Sequence, residues 1–223
     1  MTLINTMLGR LGYSLQKKGD GFWNKDDDFV SRYNRSIRSP MEKKAHRMYA
    51  LYQLCKYAAN LPGDIAEVGI YKGDSAKFMA ELLPQKILHG FDTFEGFPNG
   101  YVGPRQSTFS DTSFELVSDY LKESRNVKLY KGEFPNTAQH IDSPFALVHL
   151  DPDLPEVVKA GLEFFYPKLV PGGAFVIDDY HSELWPGVTD VVDQFAQRHS
   201  MHPIVTASTQ CVLFKLPTLT PAV

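Results

Sequence analysis

From residue 64 onward, short apolar segments rich in β-branched and aromatic residues alternate with segments of helical periodicity. This alternation is typical of a parallel sheet with helices on both faces. Each apolar segment is bounded by Gly, Pro or Asp, which favour turns. The predicted strands are 64–68, 86–91, 127–131, 145–150 and 173–177. The sequence therefore predicts the α/β class, with a doubly wound, mostly parallel Rossmann-like sheet.

The last part of the sequence predicts a different strand pairing. After Pro186, apolar residues recur with the spacing of an amphipathic helix. They are Val188, Val191, Val192, Phe195 and Ala196. Two short β-rich runs follow, at 204–207 and 210–214. These runs predict a C-terminal antiparallel hairpin joined to the parallel sheet.

A chain of 223 residues can bury one substantial core. We predict one domain at 41–216 and a tail at 217–223. The segment 1–40 is interpreted as an N-terminal extension that serves as a lid or as an oligomer contact. The stretch 96–111 is rich in Gly, Pro and Ser. Because it is longer than most connections, we expect it to be either a mobile lid or disordered.

Charge and composition exclude several partners. The formal net charge is -3 and the pI is near 6.2, so the chain lacks the excess of basic residues that nucleic acid binding requires. Cys55 and Cys211 lie in apolar segments without metal-ligand spacing, which indicates buried thiols in a reducing compartment. The N-terminal apolar run is too short to span a membrane and no signal cleavage site follows it. We expect a cytoplasmic protein.

A nucleoside site is predicted after the first strand. Gly69 and Gly73 lie in the turn, where a ligand can approach the backbone, and Asp92 ends the second strand, where an acid can bind ribose hydroxyls. The competing interpretation is a turn that needs glycine only for its conformation. The candidate cofactor-binding residues are Glu67, Gly69, Tyr71, Gly73, Ser75, Asp92, Thr93 and Asp151.

Charge helps to distinguish a dinucleotide from S-adenosylmethionine as the ligand of this site. A dinucleotide would place its pyrophosphate at the helix start, yet the turn lacks a full G-x-G-x-x-G pattern and Asp74 would repel the phosphates. S-adenosylmethionine carries a sulfonium and an ammonium group, with which Glu67 and Asp74 are compatible. Asp74 is also suited to the first turn of a helix, and we prefer that role to direct contact with the ligand.

Four acids follow the fourth and fifth predicted strands, namely Asp151, Asp153, Asp178 and Asp179. Carboxylates about 4 Å apart repel one another by roughly 4 kcal/mol at an effective dielectric constant of 20, so a converging group needs protons or a cation. Oxygen ligands suit Mg²⁺ or a similar ion. For Asp153 we prefer a helix cap, since Asp153 and Glu156 have capping-box spacing. The alternative for the other acids is a solvated turn.

Four segments resemble motifs of the macrocin O-methyltransferase family, the TylF and MycF type, within the class I S-adenosylmethionine-dependent methyltransferases. These segments are 63–69 with Gly73, 90–98, 149–154 and 171–180, and the resemblance extends over about residues 60–200. It implies a methyltransferase domain that transfers a methyl group to a hydroxyl of a sugar or another natural product. The sequence departs from the family where Pro155 replaces a usual tyrosine and where His181 to Glu183 follow the last acids.

The resemblance also implies the roles of individual residues. It places S-adenosylmethionine at Glu67, Gly69, Ser75 and Asp92, and a divalent metal such as Mg²⁺ at Asp151, Asp178 and Asp179. Methyl transfer requires removal of the hydroxyl proton, which a metal assists as a Lewis acid. The catalytic candidates are Asp151, His149 and His181, although for a histidine a packed or solvated role is more common.

Two other functions fit the same layered fold. One is a nicotinamide-dependent oxidoreductase, and the other is a catalytically silent protein that binds S-adenosylmethionine. The three acids Asp151, Asp178 and Asp179 favour the methyltransferase, because hydride transfer needs no such metal cluster. The expected partner is a small molecule with a hydroxyl group, and association into a homo-oligomer stays open.

Overall fold

Seven strands form one sheet in the computed structural model, which describes residues 21–38, 41–97, 101, 109–207 and 209–217, without side chains at 41–43. The strands are β1 (Asp64–Val68), β2 (Leu88–Asp92), β3 (Val127–Lys131), β4 (Phe145–Leu150), β5 (Leu169–Asp178), β6 (Ile204–Ala207) and β7 (Gln210–Phe214). The helices are α1 (Asp27–Ser36), α2 (Met41–Ala58), α3 (Asp74–Leu82), α4 (Phe114–Leu121), α5 (Pro155–Phe165) and α6 (Pro186–Arg198). Short 3-10 turns lie at Phe22–Lys25, Asn136–Ala138 and Tyr166–Lys168.

The strand order is β3-β2-β1-β4-β5-β7-β6. The first five strands pair in parallel, whereas β7 pairs antiparallel with both β5 and β6. The predicted doubly wound sheet with a closing hairpin is therefore confirmed. The strand order reverses between β1 and β4, and such a switch point leaves a crevice at the carboxyl ends of the strands.

Two apolar cores lie on the two faces of the sheet. Side chains from α1, α2, α3 and α4 form one core, and side chains from α5 and α6 form the other. Alternate residues of each central strand serve the two cores, so that Ile65 faces the first and Ala66 the second. β4 is buried at every position, as expected for a central strand covered on both faces.

The predicted strand limits agree with the structure for β1, β3, β4, β6 and β7. The second strand begins at Leu88, because Lys86 lies before it and donates hydrogen bonds to the carbonyls of Leu61 and Gly63. The fifth strand begins earlier, at Leu169, which pairs with Phe145 across an irregularity in register. Because of that irregularity, β5 also includes the Pro-Gly-Gly segment at 171–173, at whose last residue the predicted strand begins.

Two predicted helix caps are wrong. The capping-box spacing of Thr112 and Glu115 predicts Thr112 as the cap of α4, but Ser113 is the capping residue and accepts a hydrogen bond from the Leu116 amide at 3.2 Å. Thr112 instead donates to the Tyr71 carbonyl at 2.7 Å. The predicted cap of α5 is Asp153, but Leu154 occupies that position and no side chain caps the helix.

The described part of the predicted N-terminal extension packs into the body of the protein. Phe29 and Tyr33 on α1 are buried, and the Phe29 ring lies 5.5 Å from Tyr52 of α2 and 6.1 Å from Phe78 of α3. The stretch 96–111 is predicted to be either a mobile lid or disordered. Most of it, at 98–100 and 102–108, lies outside the described residues. Among the helices of the described ranges, none is long and apolar enough to cross a membrane.

Candidate active site

A cleft of about 950 Å³ opens at the carboxyl ends of the parallel strands. Its walls come from the segments that follow β1, β2, β3 and β4, together with residues of the loop after β5. This is the position that the switch point predicts for a ligand in an open α/β sheet. Of the predicted cofactor-binding residues, Gly69, Tyr71, Ser75, Asp92, Thr93 and Asp151 line the cleft.

The turn after β1 brings backbone close to backbone. Gly69 has a φ of +91°, and a Cβ atom there would lie 2.2 Å from the Asp151 carbonyl oxygen. Gly73, with a φ of +86°, precedes the first turn of α3. Both positions therefore need glycine, for close approach at Gly69 and for a left-handed conformation at Gly73. The turn after β1 therefore packs closely against the start of the segment after β4.

Asp92 holds this turn in place. One carboxylate oxygen accepts hydrogen bonds from the amides of Ile70 and Tyr71, at 2.7 and 2.8 Å, and the other accepts one from the Phe94 amide at 2.6 Å. Asp92 also lines the cleft. The carboxylate is thus placed where a ribose could reach it, but its described hydrogen bonds serve the protein backbone.

Asp74 also has a protein partner. Its carboxylate accepts from the Arg38 side chain at 2.7 Å and from the Arg38 amide at 2.9 Å. The Arg38 guanidinium further donates to the Lys72 carbonyl and lies 3.8 Å from the centre of the Tyr120 ring. Asp74 therefore ties the segment after α1 to the turn after β1, in addition to its predicted place in the first turn of α3.

Glu67 lies behind the cleft. The residue is fully buried, and its Oε1 lies 2.8 Å from Nδ1 of His149, its cross-strand partner. Burial by itself lowers the pKa of His149, but the neighbouring carboxylates of Asp178 and Glu67 outweigh it and raise the pKa to about 10. At neutral pH the imidazole is therefore protonated and lacks the lone pair that a general base needs.

The ends of β4 and β5 bring the predicted acids together. Ligand atoms of His149, Asp151 and Asp178 lie within 4.8 Å of one another. Asp179 follows in a left-handed conformation, with a φ of +63°, and lines the cleft with Asp151. The structure thus brings Asp151 and Asp178 together as predicted and adds His149 as a third member.

Arg47 on α2 balances part of this negative charge. Its Nη1 lies 3.1 Å from Asp178 Oδ2 and 4.0 Å from Asp179 Oδ1, and Asp178 holds the pKa of the guanidinium above its usual range. Loss of surrounding water and the charge of Asp178 raise the pKa of Asp151 to about 7. Burial opposes ionisation of Asp178, but Arg47 and His149 lower its pKa to about 2.

Sequence reasoning missed Arg47 and Gln210. Gln210 Nε2 donates to Asp178 Oδ1 at 2.7 Å. A signal was present for Gln210, a polar residue at the start of an otherwise apolar strand. Arg47 lies on α2 next to the buried Met48, but no local pattern in the sequence indicates its partner, because its position above β5 depends on how the helix packs.

His181 lies away from these groups. It is exposed, its amide donates to Thr189 Oγ1 at 2.9 Å, and its ring lies against Tyr180. The described lining of the cleft does not include His181. The geometry therefore leaves Asp151 as the predicted catalytic residue that faces the cleft and titrates near neutral pH.

Aromatic side chains form another part of the cleft lining. Phe97 lies 5.5 Å from Phe109 and 5.7 Å from Trp185, and all three line the cleft. Phe109 in turn contacts Tyr71 in the turn after β1, at 5.1 Å. A ligand in the cleft would therefore meet both carboxylates and aromatic rings.

The sheet order and the position of the cleft define the class I methyltransferase fold. The solved structure of the O-methyltransferase NovP superposes with a TM-score of 0.68 at 24% identity, covering 77% of this chain and 80% of that one. The model of the macrocin O-methyltransferase (TylF) family matches residues 43–216. The chain belongs to that family.

Two curated relatives show similar sequences. Demethyldecarbamoylnovobiocin O-methyltransferase of Streptomyces niveus is 28% identical over 157 residues, 61% of this chain and 59% of that protein. A relative from Streptomyces olivaceus, 8-demethyl-8-(2,3-dimethoxy-alpha-L-rhamnosyl)-tetracenomycin-C 4'-O-methyltransferase, is 29% identical over 146 residues. That match covers 55% of each chain. The similarity to these relatives therefore spans somewhat more than half of their length.

Proposed function

We propose that the protein transfers a methyl group from S-adenosylmethionine to a hydroxyl group of a sugar or another natural-product small molecule, with assistance from a divalent cation. The observation that carries this proposal is the family match over 43–216 combined with a cleft lined by Asp92 and Asp151. The names of the relatives, which are O-methyltransferases, support the reaction type.

The cofactor half of the site is assigned to the turn after β1 and to the end of β2. Because Gly69 has no side chain, a ligand on the floor of the cleft can approach the backbone there. Asp92 holds the adjacent amides of Ile70 and Tyr71 in place. Carboxylates near this turn favour a cationic ligand. S-adenosylmethionine supplies the methyl group when bound, and these residues would hold it with its methyl group toward the acidic side.

Asp151 is assigned as the group that accepts the hydroxyl proton. It lies at the end of β4, lines the cleft, and has a pKa of about 7 when no cation is bound, so a useful fraction is ionised near neutral pH. Arg47 and protonated His149 stabilise the ionised neighbour Asp178. The arrangement lets Asp178 stay charged while Asp151 exchanges a proton.

The donor set fits a divalent cation. Asp151 and Asp178 provide oxygen ligands close together and Asp179 lies beside them, whereas protonated His149 has no lone pair to offer a metal. Mg²⁺ prefers oxygen ligands and keeps several waters, which an open cleft allows. Such an ion would lower the pKa of a substrate hydroxyl. Arg47 competes for the same carboxylates, so cation affinity depends on that guanidinium.

The two rival functions have less support. A nicotinamide-dependent oxidoreductase would need a pyrophosphate site, and the Gly69 turn places Asp74 where the phosphates would lie. A silent S-adenosylmethionine-binding protein would not need a residue such as Asp151 with a pKa near neutral in its cleft.

Calorimetry and an activity screen test the proposal. The protein should bind S-adenosylmethionine and its demethylated product, and should methylate at least one member of a panel of glycosylated natural products and nucleotide sugars in the presence of Mg²⁺. Tight binding of NAD without any response to S-adenosylmethionine would reject the assignment. Binding of S-adenosylmethionine with no transfer to any acceptor would favour the silent binding protein.

A further inference from the structure

A row of polar side chains crosses four strands beneath helix α2. Glu67 on β1 is the register partner of His149 on β4, and Asp178 on β5 is the register partner of Gln210 on β7. All four are at most 5% exposed. The row lies on the face of the sheet that otherwise carries the apolar core of α1 to α4.

Neighbouring members of the row are in contact or nearly so. Glu67 Oε1 lies 2.8 Å from His149 Nδ1, and His149 Nε2 lies 3.7 Å from Asp178 Oδ1. Gln210 donates to the same Asp178 oxygen at 2.7 Å, while Arg47 lies 3.1 Å from the other. The row therefore includes the Asp178 carboxylate, which has an oxygen within 4.8 Å of one of Asp151, and Asp151 lines the cleft.

The burial of these charges needs an explanation. Burying ionised groups is costly, and apolar residues of similar volume would fill the same space at least as well for stability. Glu67 Oε2 is also left without a described hydrogen-bond partner, which adds to the cost. A row that is unfavourable in itself and reaches the site is expected to serve the site.

We infer that Glu67 and His149 are positioning residues that act on Asp178. Glu67 holds the His149 ring by its Nδ1, so that Nε2 points at Asp178 Oδ1 and keeps this carboxylate aligned beside Asp151. This inference rests on the proposed function, and it gives Glu67 a role other than the predicted contact with the cofactor.

The geometry explains why Glu67 is needed although it never reaches the cleft. Without a partner at Nδ1, the His149 ring can rotate about its χ2 angle and turn Nε2 away from β5. Asp178 would then keep Arg47 and Gln210 as partners, which pull its two oxygens in other directions. The spacing between Asp151 and Asp178 would change, while the turn that contains Gly69 would stay as it is.

The test compares Glu67→Met, which removes the acceptor at Nδ1, and His149→Gln with the unchanged protein. Each variant should lower kcat at least tenfold and weaken the binding of Mn²⁺, measured by electron paramagnetic resonance, about tenfold. The dissociation constant for S-adenosylmethionine should change less than twofold. The double variant should be no worse than His149→Gln alone, because Glu67 acts through His149. A crystal structure of Glu67→Met should show the Asp178 carboxylate rotated.

His89→Gln is the matched control. His89 is also buried and its Nε2 lies 3.1 Å from a carboxylate, that of Asp64, but it belongs to β2 and lies outside the row. It should lose stability without a change in Mn²⁺ affinity. Loss of S-adenosylmethionine affinity in Glu67→Met with normal Mn²⁺ binding would overturn the inference and restore the cofactor role. If the unchanged protein binds no S-adenosylmethionine, the proposed function fails, and an unmoved Asp178 in the Glu67→Met structure still decides against the inference.

Discussion

At the scale of single residues, the charges of the site are matched by particular partners. Asp92 accepts three backbone hydrogen bonds, Asp74 is paired with Arg38, and Asp178 is paired with Arg47. Each of these three acids therefore also has partners within the protein. Substitutions at these positions will change binding and folding together, and each experiment must separate the two.

For Asp92→Ala we expect S-adenosylmethionine binding to weaken by about 1.5–3 kcal/mol, the range for losing hydrogen bonds to a charged group. The amides of Ile70 and Tyr71 lose their acceptor, so the turn after β1 should also loosen. Calorimetry measures the first effect and hydrogen exchange the second. Unchanged affinity with a loosened turn would leave Asp92 with a purely structural role.

Replacing Arg47 with methionine should make stability depend on Mg²⁺. The side chain is 21% exposed, so the loss in unfolding free energy should lie between the roughly 1 kcal/mol of an exposed pair and the roughly 3–5 kcal/mol of a buried one. Mg²⁺ should restore more stability to the variant than to the unchanged protein. Thermal unfolding with and without Mg²⁺ measures this.

The control for that experiment is Arg35→Met, which removes an exposed pair with Glu81. We expect a change below about 1 kcal/mol and no dependence on Mg²⁺. An equal response of both variants to Mg²⁺ would contradict the idea that Arg47 competes with a cation at Asp178 and Asp179.

At the scale of elements, the turn after β1 depends on its first glycine. Gly69→Ala combines a left-handed conformation, which costs of order 1–3 kcal/mol, with a clash against the Asp151 carbonyl. We expect lower stability and loss of S-adenosylmethionine binding, measured by urea denaturation and calorimetry. Gly172→Ala has a similar φ of +83° but meets only the ends of side chains, far from the cleft. The Gly172→Ala variant should lose stability but keep its affinity for S-adenosylmethionine.

The elements themselves were largely predictable from the sequence. Apolar runs and their flanking turn residues specify β1, β3, β4 and the β6–β7 hairpin, because these strands are defined by local patterns. The limits of β5 could not be found in this way, since Leu169 joins the strand through its pairing with Phe145. For the same reason the sequence placed Asp151 and Asp178 at one edge but could not show that Arg47 lies above them.

At the scale of the whole molecule, the two halves of the cleft should respond to different ligands. Excess chelator should abolish methyl transfer while S-adenosylmethionine still binds, because the turn that contains Gly69 and the acids after β5 belong to different strands. Mg²⁺ should restore turnover. The measurement is a transfer assay with parallel calorimetry, and full activity in excess chelator would leave Asp151 as a general base that needs no cation.

The antiparallel strand β7 has a consequence for the order in which the site is completed. It pairs with β5 and supplies Gln210 to Asp178, yet it is the last strand to be synthesised among those described. A nascent chain that ends before residue 210 leaves one edge of β5 bare and Asp178 without one of its donors. The parallel core can assemble on the ribosome, but the acidic side of the cleft acquires its final hydrogen bonds only when β7 emerges and pairs with β5.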